Sequence, residues 1–109
     1  MKQIKILSEQ KLENNFKTEQ LKEVNILLNQ DSNKVIEITL SQKAILTKHS
    51  SHTPITVLCL AGTGIFRAGE NLDEEQKLTA GTLIYLDKDI EHEVIAEPNI
   101  KILVTKFSA

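Results

Sequence analysis

A single cysteine, Cys59, stands among the 109 residues. No internal disulfide can form, no CxxC motif exists, and an oxidising compartment is not implied. Long apolar runs are missing too. Nothing approaches the roughly 20 residues of a membrane-spanning helix, and the first eight residues are too poor in apolar side chains to serve as the core of a signal peptide. A soluble, cytoplasmic protein is expected. Charge of one sign is also absent: 13 Lys and Arg stand against 15 Asp and Glu, for a formal net charge of -2. The basic residues are scattered, so the positive patch that nucleic acid or an anionic membrane requires is not there, and neither is an expected partner. The chain has no internal repeat, low-complexity tract, phosphate loop or nucleophile–base pair. Its length suits one domain with one core.

What is present, from Lys22 onward, is a series of short β-branched runs separated by turn residues, which points to an all-β sandwich or barrel. Strands are expected near residues 23–29, 34–41, 44–48, 55–61, 64–67, 76–80, 82–86, 91–96 and 99–107. Asn, Asp, Gly and Pro cluster between them as tight turns demand. Residues 8–20 support at most a short helix or an extended arm, so the domain reads as an N-terminal arm over 1–21 and a barrel over 22–109. The acidic run from Asn71 to Lys77 is expected to be a solvated hairpin loop, without the ligand spacing of a calcium loop.

Several strands are apolar on both faces. Side chains alternate across a strand, so Ile55, Val57 and Cys59 share one face and Leu58 and Leu60 the other. Ile100, Ile102 and Val104 likewise face away from Leu103 and Phe107. A sheet with one wet face would be polar on its outer side. A second cover is implied, either the terminal arm or, as the commoner solution, the partner in a two-fold homodimer.

All three histidines cluster around two glycine-paced stretches. The first runs from His49 through His52, Pro54 and Ile55 to Cys59, Gly62 and Gly64; the second runs from Gly81 through Tyr85, Asp87 and Asp89 to His92. These stretches resemble the two motifs of the cupin superfamily: Gly81 opens the second with His92 eleven residues on, and His49 and Gly62 are thirteen apart. The resemblance covers about residues 34–107 and implies a jelly-roll, or double-stranded β-helix, barrel. It is far less specific for activity, because cupins include dioxygenases, isomerases, sugar-binding sensors and proteins with no known reaction.

Departures from the family pattern bear on the site. The position of the family's second motif-one histidine is Ser51 and that of its glutamate is Ile55. Lys43 replaces the opening glycine, Asp87 and Asp89 stand where proline and glycine are usual, and Ala96 replaces a closing asparagine. His52 compensates only if a bend at Ser50-Ser51, before Thr53-Pro54, brings it to the same cavity as His49. His49, His52 and His92 plus water would then form an open site for zinc, iron, nickel or copper.

Two classes of function follow. The first is a stand-alone barrel whose pocket, lined by His49, Ile55, Val57, Cys59, Tyr85, His92 and Val94, binds a small and mostly apolar molecule with the histidines as hydrogen-bonding anchors. The second is a metal-dependent oxygenase- or isomerase-like enzyme using His49, His52 and His92. Loss of the glutamate favours the first, since Ile55 cannot coordinate; retention of every histidine near the motifs favours the second. No catalytic residue is assigned. A purely structural dimer partner is a third option, which would need an exposed apolar patch.

Overall fold

The computed structural model describes residues 3–10 and 20–107. The described residues form one seven-stranded sheet system: β1 Lys22–Asn29, β2 Asn33–Leu40, β3 Ile45–His49, β4 Ile55–Ala68, β5 Glu74–Leu78, β6 Leu83–Leu86 and β7 His92–Phe107. Every pairing is antiparallel. The all-β reading of the sequence is therefore correct.

Strands β4 and β7 are the shared spine of two layers. They pair with each other from Ile55 opposite Lys106 to Ala68 opposite His92. The second half of β7 carries β2, and through it β1, while the first half of β4 carries β6. At the other end β3 lies on the first half of β7 and β5 on the second half of β4. Phe66 and Val94 from one layer join Val57 and Ile102 from the other in a single buried cluster, so the layers face each other across the core. Leu40, Leu78, Ile100 and Ile102 are its fully buried large side chains, each contributing about 1.5–3 kcal/mol by leaving water.

The sequence suggests a break at Gly62-Thr63 and another at Glu97-Pro98. Instead, each pair of expected strands is one long bent strand, 14 residues in β4 and 16 in β7. In β4 the ladder to β7 slips twice, between Cys59 and Ala61 and between Gly62 and Gly64. The slip changes which side chains point inward: Ile55, Val57, Cys59 and Ala61 are buried before it, Phe66 and Ala68 after it. Gly62 makes the bend possible. Its φ is +78°, and a Cβ there would lie 2.1 Å from the Asn99 carbonyl oxygen, far inside contact distance. Strand β5 begins inside the acidic run, so the expected loop ends earlier than Lys77. Arg67 draws it into the sheet, its Nε donating to Glu75 Oε1 at 2.9 Å from the paired position.

On the outer face, Leu58 sits opposite both Leu103 and Leu83. Leu58, Leu60 and Leu103 are half-buried, while Leu83 is 64% exposed. This is the face from which the homodimer is expected. Of the arm, residues 3–10 have no regular structure and keep Ile4 and Ile6 exposed, and Gln10 donates its Nε2 hydrogen to Glu37 on β2. The helix or extended segment expected near 8–20 lies largely in 11–19, outside the described residues.

Candidate functional site

The two layers enclose a cavity of about 200 Å³. Inward alternation supplies most of its wall: Ile36 and Ile38 from β2, Ile55 and Val57 from β4, and Ile102 and Val104 from β7. Beyond the bend, Phe66, Leu46 and Val94 close the far side. Among the described residues the polar lining is His49, Ser51 and His92, with the lysines Lys22 and Lys106, and no Asp or Glu lines the cavity.

His49 and His92 are brought together because they are opposed residues of the β3–β7 ladder. Their ring centroids lie 4.2 Å apart at 58°, and His92 also stacks on Phe66 at 5.5 Å. Each Nδ1 meets a backbone carbonyl two residues earlier, Thr47 O at 2.7 Å for His49 and Ile90 O at 2.9 Å for His92. A carbonyl can only accept, so both Nδ1 atoms carry the hydrogen, and in the neutral ring Nε2 holds the lone pair. Neither Nε2 has a hydrogen-bond partner among the described residues. The site therefore presents two acceptor nitrogens in fixed tautomers.

His92 is buried, at 3% exposure. Burial lowers its pKa below the ordinary 6.5, helped by the neighbouring His49 and by the positive charge of Lys106, while the Ile90 carbonyl opposes the shift. The folded protein thus resists a proton that the unfolded chain accepts. The stabilisation is complete above about pH 6.5, the unfolded histidine value, and is lost as pH falls toward and through the depressed folded value. The melting temperature of the native protein should accordingly fall more steeply than that of His92→Gln between pH 6.5 and 5. Parallel slopes in a pH series of thermal melts would contradict this account.

Five of the residues expected to line the pocket do so: His49, Ile55, Val57, His92 and Val94. Cys59 shares their inward parity but is buried in the core away from the lining, its Sγ against the carbonyls of Ala61 and Gly62 at 3.7 and 3.8 Å. Burial raises its pKa, opposed by the Ala61 carbonyl contact, so the thiol is a protonated core group. Tyr85 lies on the opposite face of β6, 59% exposed, and its hydroxyl donates to Asp87 Oδ1 at 2.9 Å. Neither lines the cavity.

A bend does follow His49, but it turns His52 away. The Ser51 hydroxyl accepts the Thr53 amide at 3.3 Å, and the Ser51 carbonyl accepts the Asp89 amide at 2.7 Å. His52 is left 98% exposed in its side chain, with Nδ1 3.1 Å from Asp89 Oδ1. The three imidazoles are not brought together, and no group of three or more His, Cys, Asp or Glu that could hold a metal occurs among the described residues. Two imidazoles without a carboxylate fall short of the three protein ligands of an open transition-metal site. The donor set present does not fit the metal implied by the family resemblance.

Lys22, Phe66 and Lys106 line the cavity in addition to the residues expected from the sequence. Phe66 is hidden by the parity change at Gly62, whereas Lys106 continues the inward series of Ile102 and Val104 and is recoverable from alternation alone.

Solved structures match this fold closely. A conserved protein of unknown function from Streptococcus pyogenes superposes with a TM-score of 0.80 at 16% identity, covering 99% of this chain and 93% of that one. An RmlC-like cupin from Desulfovibrio desulfuricans gives 0.73 at 21% identity, covering 98% and 96%. An RmlC-like cupin family protein with a double-stranded β-helix fold from Methanocaldococcus jannaschii gives 0.72 at 18%, covering 86% and 87%. No family model matches the sequence, and no curated protein matches it. At these identities the likeness is one of fold: the chain has the cupin, double-stranded β-helix architecture.

Proposed function

We propose that the barrel binds a small, mostly apolar molecule in its cavity, with His49 and His92 as hydrogen-bond acceptors. The observation that carries this reading is the pair of imidazoles whose Nδ1 hydrogens are committed to backbone carbonyls, leaving both Nε2 lone pairs beside an apolar cavity. Such sites combine an apolar wall with a few placed polar groups. An engineered apolar cavity of about 150 Å³ accepts benzene, so one near 200 Å³ suits a molecule of about six to ten non-hydrogen atoms. The enzyme reading loses its three-histidine centre with His52 turned to solvent.

Benzyl alcohol is a suitable probe, since its ring fits the wall and its hydroxyl can donate to an imidazole. Titration monitored by methyl and imidazole NMR should move Val57, Val94 and His92, and leave Leu78, which does not line the cavity, unmoved. Loss of one neutral hydrogen bond costs about 0.5–1.5 kcal/mol, so His92→Leu should weaken binding roughly two- to twelvefold. Shifts scattered over the surface, or none at millimolar probe, would refute the reading.

A further inference from the structure

The charge around the cavity is one-sided. Lys22 and Lys106 both line it, and no carboxylate among the described residues does. The acidic groups nearby are engaged elsewhere: Glu91 with Lys48 at 3.0 Å, Glu93 and Glu75 with Arg67, and Asp89 with His52. Neither lysine has a carboxylate partner among the described residues. Lys106 follows Ile102 and Val104 on the inward face of β7 and is only half-exposed. Its charge also reaches His92, opposing protonation of that ring. A lysine continuing an apolar inward series, with no counter-ion among the described residues, is a site suited to a bound anion.

We infer that the preferred ligand is a small organic acid, its apolar body against Val57, Ile102 and Val104 and its carboxylate held by Lys106. This deepens the binding reading above and rests on it. The histidines remain acceptors for any hydroxyl or N–H the ligand carries. Lys22, exposed and level with Ile100 through Leu40, lies six ladder positions from Lys106 and adds only longer-range, solvent-screened positive charge.

Benzoate and benzamide separate the two levels of the proposal, being equal in shape and size but different in charge. A charge-assisted hydrogen bond outweighs a neutral one enough to give about a tenfold preference, so benzoate should bind about ten times more tightly than benzamide in low salt. That preference should shrink severalfold in 0.5 M sodium chloride and fall below about threefold in Lys106→Met, which keeps the length of the side chain. The salt series on the native protein needs no variant, so a poorly folded Lys106→Met does not remove the test. Equal affinity for the two probes, or a preference indifferent to salt, would overturn the acid inference while leaving the binding reading intact. If neither probe nor benzyl alcohol shifts the cavity resonances, both fall.

Discussion

Gly62→Ala is expected to destabilise the barrel by about 3 kcal/mol or more, a large part of the roughly 5–15 kcal/mol that such a domain has. Two costs combine. The residue occupies φ +78°, where a Cβ adds about 1–3 kcal/mol of strain. The methyl would also lie 2.1 Å from the Asn99 carbonyl oxygen and 2.9 Å from the Ile100 Cα, both backbone atoms that no rotamer change can move aside. Gly81→Ala is the control. Its φ is +96°, but a Cβ there meets nothing within 4 Å, so the strain cost of about 1–3 kcal/mol stands alone. Urea denaturation of the two variants measures the difference. Equal losses would mean that β4 and β7 do not approach each other as closely as described.

Ile102→Ala should cost about 2–5 kcal/mol, the usual range for truncating a fully buried aliphatic side chain. Its environment adds a second effect. Ile102 is both core and cavity wall, so truncation enlarges an existing space. Leu78→Ala should lose a comparable amount of stability from a site outside the cavity. Only Ile102→Ala should then bind a larger homologue such as 2-phenylethanol better than benzyl alcohol. A loss below about 1 kcal/mol in the melt, or the same ligand preference in both variants, would show that Ile102 does not form this wall.

Alternation made much of the barrel legible. Ile55, Val57 and Cys59 lie on the inward face of β4, and Ile100, Ile102 and Val104 on that of β7, as period-two reading requires. The turns were legible as well, but not their tolerance. Lys43 and Asp89, neither of them glycine, adopt φ +63°. The Lys43 amide donates to the Pro98 carbonyl at 2.8 Å and the Asp89 amide to Ser51, so tertiary hydrogen bonds hold a conformation that glycine would reach without strain.

What alternation cannot foresee is a slip in a ladder. The two register shifts in β4 exchange the inward and outward sides near Gly62, and Phe66 enters the site unannounced. His52 has the converse history: a bend was legible in the sequence, its direction was not. That direction is set by hydrogen bonds of the Ser51–Thr53 turn and by Asp89, which comes from a distant part of the chain. Tyr85 shows a simpler limit, since an edge strand of four residues carries too little pattern to reveal which face is inner.

The double use of β4 and β7 also sets the order in which the chain can close on itself. As residues emerge from synthesis, the β1–β2 ladder and the β4 pairings with β5 and β6 become available in turn. β2, β3 and β4 all wait for β7, the last strand, before they acquire their common neighbour. Contacts so distant along the sequence are slow to form and leave strand edges open meanwhile. A nascent chain that stops short of His92 can hold hairpins but no barrel, and its open edges are where mispairing with another chain would begin.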